Sequence, residues 1–256
     1  MTRLHFSQEG QGPVIVLSHA LGCDLSMWDG VSAALRDRFT VLRYDHRGHG
    51  RSPASAAPFT VDDLADDAAE LIRARCAGPV HFVGLSMGGM TAQALGARHP
   101  QLVRSLTIAN AAQYYPEAAR AMWQARVDTV LAQGMRPIVD GALQRWFTPG
   151  FLQDAARGQA AVAQLRAVLE ACDAASYAAA CQAVAGIDLA AGNARIACPT
   201  LVIAGELDEA TPPAMSEAIA QAIPGAQLQS LRAAHLSAVE EPQAFADALT
   251  RFCPAH

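Results

Sequence analysis

A chain of 256 residues, 52% of them hydrophobic, is long enough for one well-buried core and a modest insertion. Its net charge of −5 is dispersed without a basic run, which excludes an electrostatic footprint for nucleic acid. No run of about eighteen apolar residues offers a membrane span, the opening MTRLHFSQEG carries no apolar signal core, and six cysteines scatter without a C-x-x-C pair, so a cytoplasmic protein with reduced thiols and no metal site is expected.

Leu4-His5-Phe6 reads as a short edge strand. Val14–Leu17, wholly apolar after Gly12-Pro13, reads as a central strand. It delivers Ser18-His19-Ala20-Leu21-Gly22 at its carboxyl end, where open α/β sheets bind ligands. Ser26 can cap a helix carrying Met27, Trp28, Val31 and Leu35. Phe39–Tyr44 is the next strand, and Asp45–Ser52 after it reads as a tight, self-shaping turn. His46 and His49, three apart in that turn, are too few for a metal site. Thr60 opens a helix whose first turns are acidic and whose last carries Arg73 and Arg75.

Val80-His81-Phe82-Val83 is a buried strand, followed at once by Gly84-Leu85-Ser86-Met87-Gly88 and a helix that Pro100 stops. Strand, G-x-S-x-G and helix in that order make a nucleophile elbow, a turn sharp enough to present the Ser86 hydroxyl above the sheet. Glycine at 84 and 88 relieves the collisions such a turn creates. Val103–Ala109 is a further strand. The alternation of strand and helix to this point predicts a mostly parallel sheet flanked by helices.

From about Gln113 to Ile196 the sequence offers helices only, over Glu117–Gln133, Met135–Trp146, Ala160–Ala171 and Ser176–Ala185. Gly134, Thr148-Pro149-Gly150, Gly158 and Gly186 separate them. This reads as a helical cap, residues 113–196, inserted into a core of residues 1–112 and 197–256. The sheet resumes with Thr200–Ala204 and the loop Gly205-Glu206-Leu207-Asp208. A helix over Pro212–Ile223, a strand over Gln227–Leu231, the loop holding His235 and a helix from Pro242 to about Phe252 complete the chain.

Ser86, an acid in the 205–208 loop and His235 all fall in loops at strand carboxyl ends. A serine hydroxyl is a poor nucleophile at neutral pH, so an imidazole must take its proton, and a carboxylate must hold that imidazole in the right tautomer. Both Glu206 and Asp208 are candidates for the acid. An oxyanion formed at the substrate carbonyl needs two donors. The Met87 N–H at the helix start and the Leu21 N–H after the first central strand are the candidates.

The segments SHALG, DHRGHGRS, GLSMGG, GELDEATPP and AAHLS resemble the α/β-hydrolase superfamily over essentially the whole chain. SMWDGV, TIANAAQYY, RVDTVLAQGM, RWFTPGF and LRAAHLSAVEEP look like its 3-oxoadipate enol-lactonase branch, cap segments included. The resemblance implies an α/β-hydrolase fold, the triad Ser86, Asp208 and His235, and hydrolysis of a small carboxylated enol-lactone from aromatic-compound catabolism. No cofactor or metal is required. One departure is His19-Ala20, where many superfamily members have His-Gly, and alanine resists positive φ. An anionic substrate calls for a cation in an apolar pocket. Arg145, with Trp146 beside it, is the first expected substrate contact and Trp123 the second; the other reading is that Trp146 and Phe147 pack the cap core with Arg145 solvated, and Cys23 reads as a small filler. The alternative is a general carboxylesterase or related small-ester or amide hydrolase with the same triad. A ligand sensor without turnover and a carbon–carbon hydrolase or lyase stand further off.

Overall fold

The computed structural model describes residues 4–253. Seven strands form one sheet: β1 (Phe6–Gly10), β2 (Val14–Ser18), β3 (Thr40–Tyr44), β4 (Val80–Leu85), β5 (Val103–Ala109), β6 (Thr200–Gly205) and β7 (Gln227–Leu231). Their order is β1-β3-β2-β4-β5-β6-β7. Only β1 runs antiparallel to its neighbour; the other pairs are parallel. Every residue of β4 and β6 is buried, so both faces of the sheet centre are covered, as a parallel sheet requires. Edge strands β1 and β7 are partly exposed instead.

The helices are α1 (Asp29–Leu35), α2 (Val61–Arg75), α3 (Met87–Arg98), α4 (Glu117–Gln133), α5 (Arg136–Trp146), α6 (Pro149–Gln153), α7 (Gly158–Glu170), α8 (Ala174–Ala185), α9 (Ala190–Asn193), α10 (Pro213–Ala222), α11 (Ser237–Glu240) and α12 (Pro242–Phe252). α2, α3, α9 and α10 pack in series, and α1, α11 and α12 pack on one another. α2 begins at Thr60 as expected, with a capping box: the Thr60 side chain accepts from the Asp63 N–H, and Asp63 accepts from the Thr60 N–H. α4, α5 and α8 form a group through α4, while α6 and α5 both pack on α7. Tyr114 bridges Asp188, and the Leu189 N–H donates to the Gln113 carbonyl at 2.8 Å. The two ends of the helical stretch are thus joined at its base.

Four expectations change. The cap after β2 is Asp24, which accepts from the Ser26 N–H, and not Ser26. The first strand begins at Phe6 and runs to Gly10, so Leu4 and His5 precede it. Ser7, Gln8 and Glu9 lack apolar character, but an edge strand tolerates them, and Glu9 pairs with Arg43 and Arg36. Thr148-Pro149-Gly150 starts a short helix: Thr148 caps α6 by accepting from the Phe151 N–H at 3.2 Å, with proline in the first turn where no donor is missed. α9 has no apolar period and escapes sequence reading. Among the described residues no helix is long and apolar enough to cross a membrane.

Candidate active site

Ser86 follows β4 directly and takes φ 56° and ψ −115°, a backbone state that costs on the order of 1–3 kcal/mol in a non-glycine residue. It is held there from both sides: its N–H donates to the Ala109 carbonyl, and its carbonyl accepts from Met90, each at 2.9 Å. The glycines make room for the turn. A Cβ on Gly84 would lie 1.9 Å from the Gly88 carbonyl oxygen, and one on Gly88 would lie 2.0 Å from that of Ser18. Backbone atoms cannot step aside, so Gly88→Ala is expected to cost on the order of 3 kcal/mol or to prevent folding. Urea unfolding checks this, and an unchanged midpoint would refute the argument.

Two further strand-end loops, those after β6 and β7, converge on this turn. His235 Nε2 lies 2.9 Å from Ser86 Oγ, and His235 Nδ1 lies 2.9 Å from Asp208 Oδ2. An ionised carboxylate can only accept, so the Nδ1–H donates to Asp208, which leaves Nε2 free to accept the serine proton. Asp208 Oδ1 takes the N–H groups of Ala210 and Thr211. Oδ2 also takes Thr211 Oγ1–H at 2.7 Å and Asn110 Nδ2–H at 2.9 Å. Burial alone would raise this carboxyl, but the His235 charge and the hydrogen bonds from His235, Thr211 and Asn110 outweigh it and hold the group at about 2. Glu206, the rival acid, points to solvent.

Asn110 is a site residue that sequence reading missed. It directly follows β5 with φ 47°, a conformation asparagine tolerates better than most residues. From there its side chain donates to Asp208 and to the Ala234 carbonyl, and accepts from Ser237 Oγ at 2.6 Å. An asparagine closing an apolar strand was the available signal. Its partners lie 98 and more residues away in sequence.

On the other side of Ser86, the Ala20 carbonyl accepts both His19 Nδ1–H at 2.7 Å and the Cys23 N–H at 3.1 Å. The Ala20–Leu21 peptide is therefore fixed, with Leu21 facing the same cavity as Ser86. The Leu21 and Met87 N–H groups enter no loop, turn or side-chain hydrogen bond among the described residues. Ala20 does not take positive φ; Gly22 does, at 76°. That removes the conflict expected from alanine after His19. His19 Nε2 accepts the His46 N–H, and His46 Nε2 meets Ser18 Oγ. His19, His46 and His49 are buried against one another, and desolvation lowers all three, keeping them neutral. The DHRGHG turn thus shapes the loop, as its sequence suggests, and Arg47 anchors it by two hydrogen bonds to Asp67. Among the described residues no three His, Cys, Asp or Glu side chains gather as a metal would require.

A cavity of about 370 Å³ opens over Ser86 and His235. Arg145, Trp146 and Trp123, the expected contacts, all line it. Cys23 does not; it is wholly buried as packing, and burial pushes its thiol up. Phe147 instead stacks on Phe151. The cavity also holds Arg126, from α4, which the sequence did not single out. Arg126 and Arg145 have no carboxylate within 4.0 Å among the described residues. Burial, with the Arg126 charge added, lowers Arg145. Two cations therefore share one largely apolar chamber; Glu209 also lines it, without forming an ion pair with either arginine.

The alpha/beta hydrolase fold family matches residues 13–242. The chain is similar to 3-oxoadipate enol-lactonase 2 of Acinetobacter baylyi, 38% identical over 94% of this chain and 90% of that protein. A second enzyme of that organism, 3-oxoadipate enol-lactonase 1, is 35% identical over 94% and 88%. Among solved structures, the enol-lactonase from Burkholderia xenovorans LB400 superposes with a TM-score of 0.93 at 38% identity, covering 98% of this chain and 96% of that one.

Proposed function

The chain belongs to the α/β-hydrolase fold family and is a hydrolase of carboxylic ester bonds; on that premise we propose that it opens a small enol-lactone bearing a carboxylate, of the kind named for its relatives, through an acyl-enzyme on Ser86. The observation that carries this reading is the pair Arg126 and Arg145. Two half-buried guanidiniums facing the serine's own cavity call for an anion, and a fork-shaped donor suits a carboxylate. The helices between 113 and 196, acting as a cap, supply both arginines together with Trp123 and Trp146.

In this reading His235 Nε2 takes the Ser86 proton as Oγ attacks the lactone carbonyl. The N–H groups of Leu21 and Met87 hold the developing oxyanion, each worth about 2.7–4 kcal/mol of barrier. Collapse breaks the ring C–O bond. The imidazolium returns its proton to the enol oxygen, and the enol becomes a ketone. His235 then activates water against the acyl-enzyme, which releases the second carboxylate and restores Ser86. Asp208 stabilises the imidazolium in both halves.

Arg145→Met and Arg126→Met are each expected to raise KM for 3-oxoadipate enol-lactone by about 10- to 100-fold, the range of a lost hydrogen bond to a charged group. Hydrolysis of p-nitrophenyl acetate should stay close to the parent rate. Ultraviolet assays of both substrates decide it. A parent enzyme that turns over the neutral ester alone would replace this reading by a general carboxylesterase.

A further inference from the structure

We propose that Glu240 is a positioning residue that ties the loop of the base to the turn carrying the substrate anchor, so that His235 and the cap over the cavity are set together. The inference rests on the triad reading above. Glu240 is 4% exposed, and its carboxylate has no cation partner among the described residues. It receives three donors instead. Oε1 accepts both the Thr148 N–H and Thr148 Oγ1–H at 2.7 Å, and Oε2 accepts the Ala234 N–H. Thr148 follows α5, two residues after Trp146 and three after Arg145. Ala234 immediately precedes His235.

A second link runs parallel to the first. The Leu236 N–H donates to the Trp146 carbonyl at 3.0 Å. The residues on either side of His235 are therefore both hooked to the stretch Trp146–Thr148, and the Ala234 carbonyl is held from below by Asn110 at 3.3 Å. His235 has little freedom of its own: its imidazole must keep 2.9 Å to Ser86 and to Asp208 at once. A shift of the 146–148 turn, which the anchor Arg145 adjoins, is carried to the base through Glu240. Only an acceptor-only group satisfies three donors. Glutamine would turn an N–H toward one of them and leave that end of the tie unmade.

The test compares Glu240→Gln, Thr148→Val and Thr148→Ser with the parent and with Ser86→Ala. The readouts are kcat and KM on 3-oxoadipate enol-lactone, thermal unfolding, and the downfield proton resonance of the His235–Asp208 hydrogen bond. Glu240→Gln is expected to lower kcat by about 10- to 100-fold, the scale of a displaced catalytic group, with KM little changed and the downfield resonance shifted or broadened. Thr148→Val should move both readouts the same way to a smaller extent, Thr148→Ser should restore them, and the Glu240→Gln/Thr148→Val pair should be no worse than Glu240→Gln alone. If folded Glu240→Gln keeps the parent kcat and resonance and shows only a lower unfolding temperature, Glu240 is a structural residue and the proposal is overturned. Should Glu240→Gln fail to fold, Thr148→Val decides by the same two readouts. Failure of the triad reading itself looks different: Ser86→Ala would then stay active.

Discussion

If Ser86 is the nucleophile proposed above, Ser86→Ala is expected to lower kcat by roughly 10⁶-fold on every ester or lactone the enzyme accepts, the effect of removing the nucleophile from such a triad. The hydroxyl is the only oxygen at the apex of the elbow, 2.9 Å from the one imidazole nitrogen free to take its proton. Activity should not reach zero. The Leu21 and Met87 N–H groups and the two arginines remain, and binding with oxyanion stabilisation alone leaves about 10³–10⁴-fold over water. The fold should hold, because φ 56° at position 86 is imposed by the flanking hydrogen bonds to Ala109 and Met90, which alanine keeps. Initial rates and urea unfolding on one preparation check both halves. A folded variant retaining a few per cent of parent activity would mean that Ser86 is not the nucleophile.

The parts of the site legible in the sequence are those whose chemistry is local. Gly84 announces the elbow because its collision, with the Gly88 carbonyl, arises inside the five-residue turn, whereas that of Gly88 is with the distant Ser18; β2 and β6 announce themselves by the apolar runs over residues 14–17 and 201–204. Arg145 was readable through the Trp146 next to it and the helix end they share. Arg126 was not. It lies on α4, as does the exposed Arg120, and nothing in the local sequence marks Arg126 as the one that lines the cavity. Asn110 and Glu240 were hidden for a related reason. Each is one polar residue at the end of an element, and its role exists only once β5 lies beside β6 and the 146–148 turn lies over the His235 loop. The strand Phe6–Gly10 was misplaced because its pairing to β3, not its own composition, makes it a strand. What sequence conveys poorly here is contact between distant polar groups, since one buried polar atom carries no periodicity.

Asp208→Asn is expected to lower kcat by about 10⁴-fold while leaving KM nearly unchanged. Asparagine can present an N–H where the carboxylate presented a lone pair, so the favoured imidazole tautomer places its hydrogen on Nε2, facing Ser86 Oγ, and the base can no longer accept. Thr211 Oγ1–H and Asn110 Nδ2–H both aim at Oδ2, so the amide has no orientation that satisfies every neighbour. The same network fixes the pH behaviour. The folded-state pKa of Asp208 is depressed, to about 2, below the value of roughly 3.9 for a free side chain. Its contribution to stability is therefore full above the unfolded value and is lost as pH falls from about 4 to about 2, on the order of 2 kcal/mol in all. Unfolding measured across that window should show a slope in the parent that Asp208→Asn flattens. Glu206→Gln, in the same loop but facing solvent, should change neither rate nor slope. If Glu206→Gln instead reproduced the loss of kcat and Asp208→Asn did not, the acid of the triad would be the exposed residue, and the buried network around Asp208 would be scaffolding only.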